Sequence, residues 1–368
     1  MKTTVVSAIV TALVMGLCLV CNTARAAEVT AEVGGRLHVD GALYDEDVSE
    51  LASGTEFRRA RIFVEGALDE DWGYKLEYDF ADEALKDAFV EYGGLPAGTV
   101  QLGHFKQAFS LEELTSSRYI TFMERALPNV FVPSRRIGAG YENYARPFGF
   151  AAGVFGGTTE DSNEDEGAGA AGRVVFAPEL NEGMLLHLGL AATWMEPETT
   201  DPLNDSFEIR QRPESHVTDT RLVDTGVLDD ASNMQNYGLE AAWNLGSLSF
   251  QGEYMMSSVE TDAGDFDFDG WYAYGSWFPG GQTRPYKDGA FQRVEANGAW
   301  ELALRFSSLD LDDGIVQGGT EDDITLGVNY YVNPYLRFMF NYVQADVEGG
   351  INGDEEPDIY QFRVSYDF

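Results

Sequence analysis

Arg59 and Arg61 alternate with Ala60, Ile62 and Val64, and Lys75 sits between Tyr74 and Leu76. Arg173 precedes Val174 and Phe176, while Arg305, Arg337 and Arg363 each lie between apolar neighbours. In an extended chain successive side chains point to opposite faces, so each of these cations has a polar face to itself and a greasy face behind it. Further basic residues fall in three long connections. Arg118 and Arg125 lie in residues 107–133. Arg210, Arg212, His216 and Arg221 lie in residues 196–236, and Arg284, Lys287 and Arg293 lie in residues 279–294. The planar guanidinium fork matches phosphate-like oxygens and stays charged. Rings of such cations are a known means of selecting anions in pores. The competing role is pairing, since Glu65, Glu77, Asp79, Asp87, Glu91, Glu240 and Glu253 share the polar register.

The elements that must carry these residues are amphipathic strands. Met184, Leu186, Leu188, Leu190, Ala192 and Trp194 alternate with smaller or polar residues. The same period runs through Tyr237 to Leu245, Trp300 to Phe306, Ile324 to Val332, Leu336 to Tyr342 and the carboxyl-terminal Tyr360 to Phe368. Each run is roughly ten residues, the length that a tilted strand needs to cross a membrane. Gly246, Asn333-Pro334 and residues 178–183 make short turns. Residues 158–167, 259–267, 311–323 and 347–358 read instead as long acidic loops. Short turns at one end and long loops at the other predict an all-β, transmembrane antiparallel barrel of about 16 strands. Loops as long as the three basic connections, without evident elements, are expected to fold into the lumen and narrow it. The final strand closes the barrel, because lipid tolerates no unpaired edge.

At the other terminus, Met1-Lys2, an apolar run from Val5 to Val20 and Ala24-Arg25-Ala26 read as an export signal. Residues 1–26 are then the signal and 27–368 the barrel domain. Both cysteines, Cys18 and Cys21, fall within the signal, so the mature chain has no disulfide. Mean hydropathy is −0.23, but a barrel spreads its lipid face over alternate residues and such averages miss it. A net charge of −38 argues against a nucleic-acid partner. No nucleophile signature surrounds Ser110, Ser116 or Ser117, so neither an enzyme nor a cofactor is expected. The acidic runs 159–166 and 262–269 lack calcium-loop spacing, and no metal is expected.

Several strings, taken in order, resemble the phosphate-selective porin O/P family of Gram-negative outer membranes. They are Glu56-Phe57-Arg58-Arg59-Ala60-Arg61, Trp72-Gly73-Tyr74-Lys75-Leu76-Glu77-Tyr78-Asp79-Phe80 and Gly103-His104-Phe105-Lys106. Thr115-Ser116-Ser117-Arg118 with Glu124-Arg125, Arg210-Gln211-Arg212-Pro213-Glu214 and Arg284-Pro285-Tyr286-Lys287 continue the series. The resemblance implies a homotrimer of barrels in outer-membrane lipid and lipopolysaccharide. It implies inward-folded loops and a passive, arginine-rich path for phosphate or other small anions. By motif position, Arg118 and Arg125 belong to a first constriction loop, Arg210, Arg212 and Arg221 to a second, and Lys287 to an inward-folded turn. Lys106 and the strand cations Arg59, Arg61, Lys75, Arg305, Arg337 and Arg363 complete the expected pore set. One residue departs from the pattern. Phosphate-selective members carry a lysine where this chain has Glu113, and an acid there is expected to repel phosphate and flatten or invert selectivity. A weakly selective or cation-preferring porin of the same fold is therefore the alternative. A membrane-barrel enzyme and a soluble adhesin-like β-protein are the readings from other classes.

Overall fold

The computed structural model describes residues 29–157, 167–197 and 205–368; the expected signal and the acidic run 159–166 lie outside them. Sixteen antiparallel strands form a closed barrel. The first eight are β1 (Glu32–Asp45), β2 (Gly54–Ala67), β3 (Trp72–Asp79), β4 (Ala84–Tyr92), β5 (Thr99–Lys106), β6 (Arg135–Ala145), β7 (Phe148–Phe155) and β8 (Gly169–Phe176). The second eight are β9 (Met184–Met195), β10 (Ala231–Leu245), β11 (Leu248–Thr261), β12 (Gly264–Trp277), β13 (Ala299–Asp313), β14 (Val316–Asn333), β15 (Leu336–Gly350) and β16 (Asp358–Asp367). Each strand pairs with its sequence neighbours. The ring closes where β16 pairs with β1, from Arg36 opposite Asp367 to Asp45 opposite Asp358. Closure satisfies every strand edge within the protein, which is what a membrane demands.

The period-2 pattern has two phases. At membrane height the outward positions are apolar. Trp300, Leu302, Leu304 and Phe306 on β13 are exposed, and Glu301 and Arg305 between them point inward and are fully buried. Towards the outer end the phase inverts. Leu309 and Leu311 of the same strand are fully buried, while Asp310 and Asp312 face out. On β12, Phe266 and Phe268 point in and Asp265 and Asp267 point out. Water surrounds this zone instead of lipid, so the acids face outward and the apolar residues form a core, as in a soluble protein.

This inversion corrects one sequence expectation. Residues 259–267, 311–323 and 347–358 are not loose acidic loops. The strands continue through them and turn at Asp262-Ala263, Gly314-Ile315 and Ile351-Asn352. Gly314, at φ 60°, supplies the left-handed conformation that one of these tight turns needs. Strand length is also uneven around the ring. β3, β5, β7 and β8 have 8 residues each, whereas β10 to β15 have 14 to 18.

Three connections fold into the barrel. Residues 107–134 link β5 and β6 and contain a short helix, α1 (Leu111–Leu114), and a 3₁₀ turn at Leu127–Phe131. Residues 205–230 form a hairpin, Ser206–Gln211 paired with Val223–Asp229. Its Ile209, Leu222 and Val223 pack with Leu127 and Phe131 against Leu309 and Val347 of the wall. Each such fully buried side chain contributes on the order of 2 kcal/mol. Residues 278–298, at the opposite end, hold a small hairpin of Tyr286–Lys287 with Ala290–Phe291.

Candidate functional site

The loop 107–134 is fastened by its own polar backbone. Ser110, at φ 66°, caps α1 by accepting a hydrogen bond from the Glu113 amide at 3.1 Å. Glu253 of β11 points into the lumen and accepts the amides of Leu111 (3.0 Å) and Glu112 (2.8 Å). It also accepts the hydroxyls of Ser110 (3.2 Å) and Tyr272 (2.5 Å). Farther along, Arg337 donates to the Ile120 carbonyl at 2.9 Å, and Asn329 to the Thr121 carbonyl at 2.8 Å. A loop inside a barrel cannot turn its backbone groups to bulk water, so wall side chains satisfy them. The loop is thereby held against β11 to β15, and the open space is left along β1 to β6.

That space is a cavity of about 300 Å³ lined by Arg36, Arg59, Arg61, Lys75, Lys106, Arg118, Arg125 and Arg135, with only two carboxylates, Asp87 and Glu113. Ser116, Ser117, Tyr119 and Gln292 add polar edges. Arg36 donates to Ser117 Oγ at 2.7 Å and pairs with Glu77 at 2.8 Å, and Arg61 pairs with Asp79 at 2.5 Å. Arg135 holds Asp87 at 2.6 Å, and Lys75 holds Glu65 at 3.1 Å. Glu113 lies between Lys106 Nζ at 2.7 Å and Arg125 Nε at 3.1 Å. Burial alone raises the Glu113 carboxyl, but Arg125 and Lys106 outweigh it and hold the group down at about 2. Arg118 is the exception. Among the described residues no carboxylate lies within 4.0 Å of it; it rests instead over the rings of Phe63 (5.3 Å) and Tyr119 (5.1 Å). Arg59 is nearly as uncommitted, with Glu124 at 3.8 Å and its Nε and Nη1 without hydrogen-bond partners.

Two further cavities adjoin this one. A chamber of about 380 Å³ shares Glu113 and Arg135 with it and adds Lys86 and His104. A chamber of about 620 Å³ shares Lys75 and is bordered by Glu32, Glu65 and Glu91. The three lie in series along β1 to β6.

A profile of the phosphate-selective porin O and P family matches residues 31–368. The chain belongs to that family. It is an outer-membrane porin of Gram-negative type, and its family is one of anion channels. Porin O of Pseudomonas aeruginosa is 28% identical over 397 residues, covering 93% of this chain and 89% of that protein. Among solved structures, the barrel is similar to an anion-selective porin from Comamonas acidovorans at a TM-score of 0.60 and 14% identity, covering 93% of this chain and 100% of that one. It is similar as well to the trimer form of OmpT from Vibrio cholerae, at a TM-score of 0.58 and 12% identity over 92% of this chain and 99% of that one.

Of the cations expected from the porin's sequence, Arg59, Arg61, Lys75, Lys106, Arg118 and Arg125 line the cationic cavity, and the rest do not. Arg305 is fully buried between Glu214 and Glu112, the latter at 3.5 Å. Arg363 is fully buried in a bidentate pair with Asp40 (2.7 and 2.6 Å) and a further contact to Glu124 (2.7 Å). Arg337 serves loop carbonyls. Arg212 pairs with Asp219 at 2.5 Å and Arg210 with Glu208 at 3.4 Å. Arg221 is near both, since burial and then the charges of Arg212 and Arg210 push it down. These three form a separate cationic group on the outer hairpin. Lys287 is exposed beside Asp288. His187 is lumenal, bonded to Glu240 and to the Tyr286 hydroxyl.

Sequence reasoning missed Arg36 and Arg135 as lining residues. Arg36 sits between Gly35 and Leu37, so only one neighbour marks its register. Arg135 and Arg136 are adjacent, and a strand sends only one of two neighbours inward. Only the strand register, which sets Arg135 directly opposite Lys106, singles it out.

Proposed function

We propose that the porin conducts phosphate and similar small oxyanions along β1 to β6, with the eight-cation cavity as its constriction. The observation that carries this reading is the imbalance at the narrow point. Eight cations and two carboxylates line it; Glu77, Asp79, Glu65 and Glu124 offset Arg36, Arg61, Lys75 and Arg59 from outside the lining, and Arg118 has no acid partner among the described residues. An uncompensated charge about 4 Å from a permeating anion is worth about 1 kcal/mol in water and up to about 4 kcal/mol near a protein surface. The expected handicap of an acid at Glu113 is met by Lys106 and Arg125, so the local field stays positive.

The runner-up, weak selectivity, draws on the inner chamber, where Glu32, Glu65 and Glu91 face Lys75 alone. Zero-current potentials of the purified porin across a potassium chloride gradient decide between the two. The sign for anion preference is expected; the opposite sign overturns the anion path.

The assembly we infer is a homotrimer seated in outer-membrane lipid and lipopolysaccharide. At about 3.3 Å per residue and a tilt of about 45°, strands of 8 residues rise only ~19 Å, less than the apolar band of ~25 Å. A neighbouring copy on the β3 to β8 side would cover the low wall, and related barrels include a trimer. We take residues 1–26 as the export signal and 27–368 as the mature barrel. Family and fold are those of channel proteins, and the activity inferred is passive diffusion without catalysis.

A further inference from the structure

We propose that Glu113 is a tethered, exchangeable counter-ion in the permeation path, displaced from Lys106 and Arg125 by each passing oxyanion. The inference rests on the anion-path reading above and adds which residue sets the affinity of that path. Glu113 borders both the chamber of about 380 Å³ and the cationic cavity, so it stands where the two adjoin. Its two carboxylate oxygens are divided between two cations, Oε1 on Lys106 and Oε2 on Arg125.

Those cations do not depend on the carboxylate for their position. Arg125 also donates to the carbonyls of Glu112, Glu113 and Thr115, each at 3.2 Å, and Lys106 donates to the Glu113 carbonyl. When the carboxylate swings away, both cations stay in place with open donors. Asp87, the other acid of the cavity, is built differently. It is fixed on Arg135 at 2.6 Å, with Lys75 behind it at 3.8 Å, on a strand rather than a loop.

The exchange has a chemical preference. An incoming ion must replace two oxygens on two cations at once. Phosphate offers a pair of oxygens at closely similar spacing, whereas chloride offers one atom. A resident carboxylate also lowers the net affinity of the site, because each entry gains an ion pair and loses one. The consequence is weak binding and rapid release, which a conducting site requires.

The test uses the purified full-length porin in planar bilayers, with chloride current measured while inorganic phosphate is added. Glu113→Gln is expected to lower the phosphate concentration that halves the chloride current by at least about tenfold. Asp87→Asn removes the same charge from the same cavity and is expected to lower it by much less. Glu113→Asp keeps the charge but shortens the reach, and is expected to fall between the two; it also serves if the glutamine variant does not assemble. Equal shifts for Glu113→Gln and Asp87→Asn overturn the proposal, because a through-space charge effect then suffices. No shift in either Glu113 variant overturns it too. Wild-type anion preference with unshifted phosphate block removes the role of Glu113 alone, whereas wild-type cation preference removes the anion path and this role with it.

Discussion

The two halves of the lumen use the same residue types in the same register to opposite ends. Along β1 to β6, eight cations surround water-accessible space with two carboxylates among them. Along β10 to β16, Arg305, Arg337 and Arg363 are as lumenal and as basic, yet none of them borders that cavity. The difference lies in what the loops bring. Residues 107–134 deliver Glu112 to Arg305 and Glu124 to Arg363, and the outer hairpin delivers Glu214 to Arg305. Burial and then Arg58, Arg59 and Arg363 act in opposite senses on Glu124, and the cations win, holding its carboxyl well below the usual range. The loops thus fill one half of the barrel with paired charge and leave the other half cationic. A lumenal arginine therefore borders the cavity where the loops leave open space beside it, and fastens a loop where they pack on it.

The widest separation between the halves should come from Arg305→Met. Removing the cation strands Glu214 and Glu112 as buried carboxylates, and breaking such a pair costs about 3–5 kcal/mol. The barrel should lose resistance to heat in detergent, read as earlier conversion to the unfolded electrophoretic form. The population that still inserts should keep most of its anion preference. A full loss of preference with unchanged stability would place Arg305 in the path instead.

Next in size is Arg118→Ala on the open side. With no carboxylate to leave stranded, it should barely change stability. It should reduce the anion-to-cation permeability ratio about fivefold, the equivalent of roughly 1 kcal/mol. Arg125→Ala should change the ratio less, because that guanidinium already serves Glu113 and three carbonyls. Reversal potentials of the two variants in one salt gradient rank them, and the reverse order would contradict the assignment by partner count.

How far the sequence went follows from the range of the interactions involved. Strand placement and closure were legible because period-2 alternation is local, and Tyr360 to Phe368 carries it without a break. Inward-folded loops were legible from their length. The outer ends of β11 to β15 were misread as loops for a physical reason: the alternation continues there with its phase inverted, apolar residues in and acids out. Which cations remain uncompensated was not legible. Asp40 and Arg363 are 323 residues apart, and Glu214 and Arg305 are 91 apart. Nothing local to Arg305 distinguishes it from Arg61; only the folded loops do.

The smallest effects come from pH and from the outer acids. Glu113 is held at about 2, below its ordinary value, so its ionised form stabilises the folded loop. That contribution is fully present above the ordinary glutamate range near pH 4.3, and it is lost as pH falls through about 2. Phosphate block of chloride current, measured with the phosphate charge accounted for, should therefore show no Glu113 titration between pH 8 and about 5; a step in that window that persists in Lys106→Arg would mean that the carboxylate is not held by its cations. Charge removal on the outer rim should matter least of all. Asp346 and Glu348 face outward on the inverted part of β15, with water on their far side. Their field at the constriction is damped over a Debye length of about 8 Å at physiological salt. Asp346→Asn with Glu348→Gln should leave the reversal potential unchanged at 0.15 M salt and move it slightly towards anions near 0.01 M, where the screening length is about 30 Å. A large shift at 0.15 M would mean that net charge at the mouth, rather than partner count at the constriction, sets selectivity.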